Sequence, residues 1–339
     1  MRTAVKKPWL IAAGIALIIL GAFPLFTGSN YLLAVGVTFC VFATLGSAWN
    51  LIGGYAGQVG WCYATFLAIG AYTSFILFLR FGISPWLGML AGMAISALAA
   101  VFIGSISFKL RGPFFSLSTI AFAELVRVYL NWHKDLTKGS NGLVVPYRQQ
   151  NFWHLMFDSS HMYYYILLVF LIITVLICWR ISLSRMGYFL RAIKADEDAV
   201  CSLGISPNRV KTQAFVISAM IASAVGTVYA FFLSYIDPQS MASLDVSTKI
   251  GTMAIVGGLG TLSGPLIGAA FLVPLSEVAN ILLGSSGAGM LLYGLLLILV
   301  FVFRPEGIVS FLNWKKKGSG PIKKEGSSVS LRKGGNGHA

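Results

Sequence analysis

Long apolar runs separated by short polar breaks dominate the chain. They fall at 9–27, 31–51, 57–79, 85–108, 113–130, 162–180, 211–235, 247–261, 265–283 and 288–303. A run of about 18 residues makes a helix about 27 Å long, close to the hydrocarbon thickness of a bilayer. The two-residue alternation of a membrane β-barrel is missing. Inside lipid the backbone has to satisfy its own hydrogen bonds, so these runs predict helices. The expected fold is an all-α, polytopic integral membrane helical bundle with about ten (8–10) transmembrane helices.

Composition agrees: 57% of the 339 residues are hydrophobic and 11% charged. The net charge of +14 would point to nucleic acid in a soluble chain. Here the lysines and arginines gather in the tails and a few loops, which is the positive-inside pattern, and no nucleic-acid partner is expected. Arg2, Lys6 and Lys7 place the N-terminus in the cytoplasm. Lys109 and Arg111 mark one inside loop, and Arg180, Arg185, Arg191, Lys194, Arg209 and Lys211 mark the largest. Arg304 and Lys315–Lys317 place the C-terminus inside as well. Two inside termini need an even number of crossings, so 247–261 is expected to cross despite its shortness. The run 9–27 reads as an uncleaved first span, because no small-x-small cleavage site follows it. Residues 1–317 then form the transmembrane domain, with an outside loop at 131–161 and an inside loop at 180–210. Residues 318–339 are nearly devoid of apolar side chains and are expected to be a disordered cytoplasmic tail.

Little in the chain suggests catalysis. No Ser/His/Asp set or pair of carboxylates is arranged for chemistry. "GGLGTLSGP" (257–265) lacks the lysine and flanking strand of a phosphate-binding loop. Cys40, Cys62, Cys178 and Cys201 have no disulfide or metal spacing, and His133, His154 and His161 share a loop without a metal motif. No metal and no cofactor is expected on this chain.

Three features ask for more than generic membrane helices. The stretches 53–60 and 257–268 are glycine-dense. Gly53, Gly54, Gly257, Gly258, Gly260 and Gly264 are read as helix breaks beside a cavity, where irregular backbone is tolerated. Glu124 and Arg127 are three apart on one helix face, and Glu277 lacks an obvious local partner; intramembrane carboxylates are candidates for function, with a structural role as the alternative. In 180–210, Phe189, Ile193, Val200 and Leu203 recur at helical spacing among charges, and Gly204 and Pro207 supply a stop. This predicts a short amphipathic cytoplasmic helix pair suited to a protein groove.

"RMGYFLRAIKADEDAVCSLGISPNRVKTQAFVISA" closely resembles the cytoplasmic loop of LivM-like permease subunits of branched-chain amino-acid ABC importers. "SAWNLIGGYAGQ", "FLAIGAY", "GPFFSLSTIAFAELVR", "LTKGSNGL", "GGLGTLSGPLIGAAFL" and "FRPEGI" extend the resemblance in order along nearly the whole chain. It implies a non-catalytic subunit of a bacterial inner membrane. Its implied partners are a LivH-like permease, two cytoplasmic ATPases that hold ATP and Mg, and a periplasmic binding protein. Gly187, Arg191, Asp196, Glu197, Ala199 and Gly204 are then expected in a coupling helix that docks on the ATPase. Asn50, Gly57, Gln58, Tyr63, Ser116, Glu124 and Glu277 are the expected pathway residues.

The sequence departs from the family pattern at the opening of the third run. A Gly-Gln-x-Ser-x-Gly-His-Ala-like stretch is usual there, whereas Gly60, Cys62 and Tyr63 replace its Ser, Gly and His. A bulkier, less polar pathway follows if this face lines it, which leaves branched-chain amino acid, another amino acid, aromatic acid, amide and urea open as cargo. The other classes of function are an ion-coupled secondary transporter that uses Glu277 or Glu124 and a non-transporting membrane scaffold or assembly subunit, which would leave the helix pair of 180–210 unexplained.

Overall fold

A computed structural model of the chain describes residues 19–24, 27–110, 112–146, 151–283, 294 and 307–308. The helices are α1 (Asn30–Asn50), α2 (Tyr63–Phe81), α3 (Pro85–Ser107), α4 (Pro113–Trp132), α5 (Lys134–Thr137), α6 (Ser160–Leu183), α7 (Arg185–Ala195), α8 (Glu197–Ser202), α9 (Pro207–Leu233), α10 (Pro238–Ala242), α11 (Leu244–Gly258) and α12 (Gly264–Leu283). Helix α1 runs on into a π-helical turn, Leu51–Tyr55. Strands β1 (Leu143–Val144) and β2 (Tyr235–Ile236) pair antiparallel, Leu143 opposite Ile236.

Local chemistry sets the helix ends. Proline opens α3, α4, α9 and α10, where its missing N–H costs nothing. The Asp237 side chain caps α10 within a capping box, and the Ser243 hydroxyl accepts from the Val246 N–H to start α11. Gly82, left-handed with φ 66°, ends α2.

Among the described residues six helices are long and apolar enough to cross a membrane: α1 with its π turn, α2, α3, α4, α6 and α9. Helix α11 has 15 residues, about 22 Å, and follows α10 across a break at Ser243. The fold is therefore a polytopic helical membrane protein. Of the expected run 9–27 only 19–24 and 27 are described, and of 288–303 only 294; the tail 318–339 lies outside the described residues.

Two of the expected boundaries shift. The third run begins at Tyr63 and not at 57, because 56–62 is a loop. The segment 131–161 is not a plain loop: α5 and β1 fold it against β2, so the all-α bundle carries one small sheet. That segment marks one end of the bundle, the loop end. Loops 107–113 and 180–210 mark the other, the basic end.

Close backbone approach holds the bundle together. Helices α2, α3 and α9 meet at Gly70, Gly88, Gly92 and Gly226. A Cβ at Gly70 would fall on the Ser223 carbonyl oxygen, and one at Gly226 on that of Leu67. The Thr227 hydroxyl donates to the Gly70 carbonyl at 3.1 Å. Helices α11 and α12 form an antiparallel hairpin of the same kind, in which Gly257 faces the Gly264 carbonyl and Gly268 that of Met253. Lipid tails give helices no hydrophobic reason to associate, so contact at this range supplies the dispersion and polar terms that do. The outward faces stay greasy: Leu87, Leu98 and Phe102 on α3, Phe114, Leu125 and Trp132 on α4, Val169 and Leu176 on α6.

Gly257→Ala, Gly268→Ala and Gly70→Ala are each expected to destabilise the bundle by about 1–3 kcal/mol or more through overpacking. Gly28→Ala, with open space around the new methyl, is expected to be neutral. Thermal unfolding in detergent, followed by fluorescence-detected gel filtration, checks the contrast.

Candidate functional site

The glycine-dense stretches come together at the basic end, and one side chain joins them. Asn50, buried at the C-terminal end of α1, donates its amide N–H to the Thr261 carbonyl at 2.8 Å. Its amide oxygen accepts from the Gly260 N–H at 2.9 Å. The π turn and the α11–α12 loop are thus tied across about 210 residues of sequence. Gly54 is required here, since a Cβ would strike the Asn50 side chain and the Gly260 nitrogen. Gly258 and Gly260 adopt positive φ, 137° and 73°. At Gly53–Gly54 the helix does not break as expected. It widens into the π turn, and the chain leaves the helix at Gly57, where φ is 72°. A wider turn lets Gly53 lie flat on the Trp49 ring without losing backbone hydrogen bonds.

Three elements pin loop 56–62. The Trp49 indole N–H donates to the Gly60 carbonyl at 2.8 Å, and Ser116 of α4 donates to Val59 at 2.6 Å. Thr119 accepts from the Trp61 N–H at 3.1 Å. Ser116 therefore touches the loop as a brace. Gln58 is half-buried, and its side-chain oxygen is buried without a hydrogen-bond partner among the described residues. Tyr63, at the start of α2, is fully buried. Its hydroxyl meets Ser218 Oγ at 2.9 Å and its ring packs edge-on against Phe66 and Phe215. Tyr63 therefore fills the interior of its own chain, which gives its bulk a packing explanation.

The expected cytoplasmic helix pair is present as α7 and α8, and its residues divide by direction. Some face inward. A Cβ at Gly187 would clash with the Ile181 carbonyl, so this glycine permits the tight α6–α7 turn. Arg191 donates to the Ser182 carbonyl at 2.6 Å and lies over the Tyr55 and Tyr188 rings, each at 5.6 Å. Glu197 pairs at 2.8 Å with Lys211, whose side chain is 1% exposed, so the carboxylate neutralises a buried cation of α9. Lys194 donates to the Gly54 carbonyl at 3.0 Å, and its stem passes Gly57. A cation on the last carbonyls of a helix is favoured by their exposed lone pairs and the helix dipole.

Other residues of the loop face outward. Asp196 caps α8 by accepting from the Asp198 and Ala199 N–H groups. Gly204, φ 78°, ends it without crowding. Ala199 and Cys201 are exposed, and Leu203 is 77% exposed.

Of the expected carboxylates, Glu124 forms a salt bridge with Arg127 at 2.7 Å. Arg127 also donates to Gln239 of α10 at 3.0 Å, so the pair ties α4 to the short helix. Glu277 has a partner distant in sequence, accepting from the Tyr31 hydroxyl at 2.9 Å. Neither carboxylate joins the junction around Asn50. The three loop histidines do not converge, and among the described residues no His, Cys, Asp and Glu group could hold a metal.

Sequence reasoning passed over one face. On α11, Asp245 and Lys249 are exposed and Thr248 and Thr252 half-exposed, a polar stripe at i, i+3, i+4 and i+7. Ser247 opposite it is buried and accepts from the Ala64 N–H at 3.0 Å. The pattern was legible in "LDVSTKIGT", but starting the run at 247 left Asp245 in a loop.

Residues 31–301 match the family model of the branched-chain amino acid transport system / permease component. The chain is 30% identical over 292 residues to the high-affinity branched-chain amino acid transport system permease protein LivM of Salmonella typhimurium, covering 79% of this chain and 68% of the relative. It is 29% identical over 329 residues to LivM of Escherichia coli K12, covering 91% and 76%. LivH of the same Escherichia coli strain is 25% identical over 289 residues, covering 81% and 93%. No solved structure matches the chain.

Asn50→Leu removes the partner of the half-buried Gly260 N–H and Thr261 carbonyl, at a cost of about 0.5–1.5 kcal/mol for each hydrogen bond lost. Faster amide hydrogen exchange in 258–263, with α3 and α4 unaffected, is the expected outcome.

Proposed function

The chain belongs to the family of permease components of branched-chain amino acid transport systems, and on that membership we propose that it is the membrane-spanning subunit of an ATP-driven importer. It sits in a bacterial inner membrane beside a homologous LivH-like permease. Two cytoplasmic ATPase subunits hold ATP and Mg, and a periplasmic binding protein delivers a branched-chain or related amino acid. The subunit itself is non-catalytic and carries no cofactor.

The observation that carries this reading is the two-sidedness of the α7–α8 loop. Its inner side is fastened to the π turn by Lys194 and Arg191 and to α9 by Glu197. Its outer side offers Ala199, Cys201, Leu203 and Gly204 to a partner. A force from a closing ATPase dimer, applied to that outer side, would reach the π turn through side chains already in contact. The coupling assignments therefore narrow. Ala199, Gly204 and the newly recognised Leu203 form the docking face, Asp196 shapes it, and Gly187, Arg191 and Glu197 hold it in place.

Ten crossings with both termini cytoplasmic complete the proposal. Gly307 packs on Gly258 at the basic end, and the Ile308 N–H donates to the Val256 carbonyl at 2.9 Å. The chain after α12 is back at that end. With α10 and α11 counted as one interrupted span, this supports an even number.

Gln58, with its unpartnered buried oxygen, and Gly57 remain the best supported lining candidates near the junction. The ion-coupled alternative has weaker support. Glu124 is neutralised by Arg127, and Glu277 is held by Tyr31.

In proteoliposomes holding all subunits, uptake is expected to require both ATP and the binding protein; uptake driven by a proton gradient without ATP would refute the importer. Leu203→Asp is expected to abolish co-purification with the ATPase while the bundle stays folded. Glu197→Lys is expected to lower thermal stability first, since it sets a second cation against buried Lys211.

A further inference from the structure

The polar stripe of α11 is not explained by packing. Asp245 and Lys249 point away from the body of their own chain, and among the described residues neither forms an ion pair. Their depth is fixed by neighbours. Ser247 between them bonds Ala64, which follows Tyr63, and Tyr63 bonds Ser218 near the middle of the 27-residue α9. Two opposite charges therefore stand exposed at about mid-bundle, where lipid would make each costly. Such charges face water, a solute or a partner chain. The Thr248 and Thr252 hydroxyls donate within their own helix, to the Asp245 and Lys249 carbonyls. The two charged heads are left as the groups that can bind.

We propose that Asp245 and Lys249 form a solute-binding face in the translocation pathway, recognising the two charged ends of a zwitterionic amino acid. The inference rests on the importer reading. Four residues apart, the two side chains project from one face with about 6 Å of axial rise between their Cα atoms. The Asp245 carboxylate accepts hydrogen bonds from the solute ammonium, and the Lys249 ammonium donates to the solute carboxylate. A carboxylate alone would favour amines and an ammonium alone would favour acids. Both on one face select a solute that carries both charges and is electrically neutral, which can leave again without a net charge being pulled through the bundle. The absence of either end in urea or a simple amide sets those cargoes apart.

The test uses the complete transporter in proteoliposomes with radiolabelled L-leucine. Asp245→Asn and Lys249→Met are each expected to lower the uptake rate roughly tenfold to a hundredfold, the worth of a charged hydrogen bond. Asp245→Glu and Lys249→Arg are expected to recover part of it. With the labelling of the unaltered transporter, whose one exposed thiol among the described residues is Cys201, subtracted, Asp245→Cys and Lys249→Cys should react with a membrane-impermeant thiol reagent, and L-leucine supplied with the binding protein should slow the reaction. Wild-type rates in both neutral variants, or no labelling at either position, would overturn the proposal. Loss of the partner permease on purification of the neutral variants would assign the face to subunit contact and overturn it as well. Failure of the unaltered transporter to use ATP would strike the importer reading instead, while the labelling would still report whether the face is wet.

Discussion

A helix interrupted inside a bilayer leaves backbone groups that lipid cannot satisfy, and the architecture of the basic end follows from how they are answered. Asn50 answers two of them with one side chain, accepting from Gly260 and donating to Thr261. Lys194 answers a third at Gly54. A leucine at position 50 would be more apolar but would leave two of these groups unanswered. The polar residues here are therefore not tolerated intrusions. They are the condition for having irregular backbone at this place at all.

Glycine at these positions follows from the same constraint. For Asn50 to reach both Gly260 and Thr261, the π turn and the α11–α12 loop have to approach to backbone contact, which a Cβ at Gly54 would prevent. For the loop to turn back so tightly, Gly257 and Gly264 have to touch. The contact between α2 and α9 at Gly70 and Gly226 works differently. It lies within regular helices, so it brings rods together without exposing any backbone group. One residue type thus serves two purposes, rigid packing in the α2–α3–α9 layer and a bend at the junction.

The sequence made the helices themselves easy to read, left the glycine contacts of the α2–α3–α9 layer unread, and showed the bend at the junction only in part. Long apolar runs translate directly into helices, which is why 85–108 and 113–130 fell within two residues of α3 and α4. Glycine spacing located both interruptions but not their form. Whether a Gly-Gly pair breaks a helix or widens it depends on the Trp49 ring beneath Gly53, a tertiary contact that spacing cannot encode. Glu197 was legible as a charged residue of an amphipathic loop, but its direction depended on Lys211, fourteen residues on and buried. Glu277 appeared isolated because its partner, Tyr31, lies 246 residues away. Tyr63 looked anomalous against the pattern of relatives, whereas Ser218, Phe66 and Phe215 account for it locally. Local periodicity fixes what a segment is, and long-range contacts decide what its polar residues are for.

This distinction bears on how motion can pass through the chain. Residues of α7 reach the π turn by one ammonium–carbonyl bond and one cation–ring contact, both exchangeable with water at modest cost. The turn reaches the α11–α12 loop through two hydrogen bonds made by one buried side chain, Asn50. The outer link is therefore the one that can slip, and the inner link is the one that moves as a unit. A displacement of α7 and α8 that carries Lys194 with it would move the π turn and the α11–α12 loop together. Helix α11 is interrupted from α10 at Ser243 and packed by backbone contact on α12, so the two helices would move as a hairpin. Under the proposed coupling, the break at Ser243 would turn a push at the basic end into a movement of the α11–α12 hairpin, which carries the exposed Asp245 and Lys249.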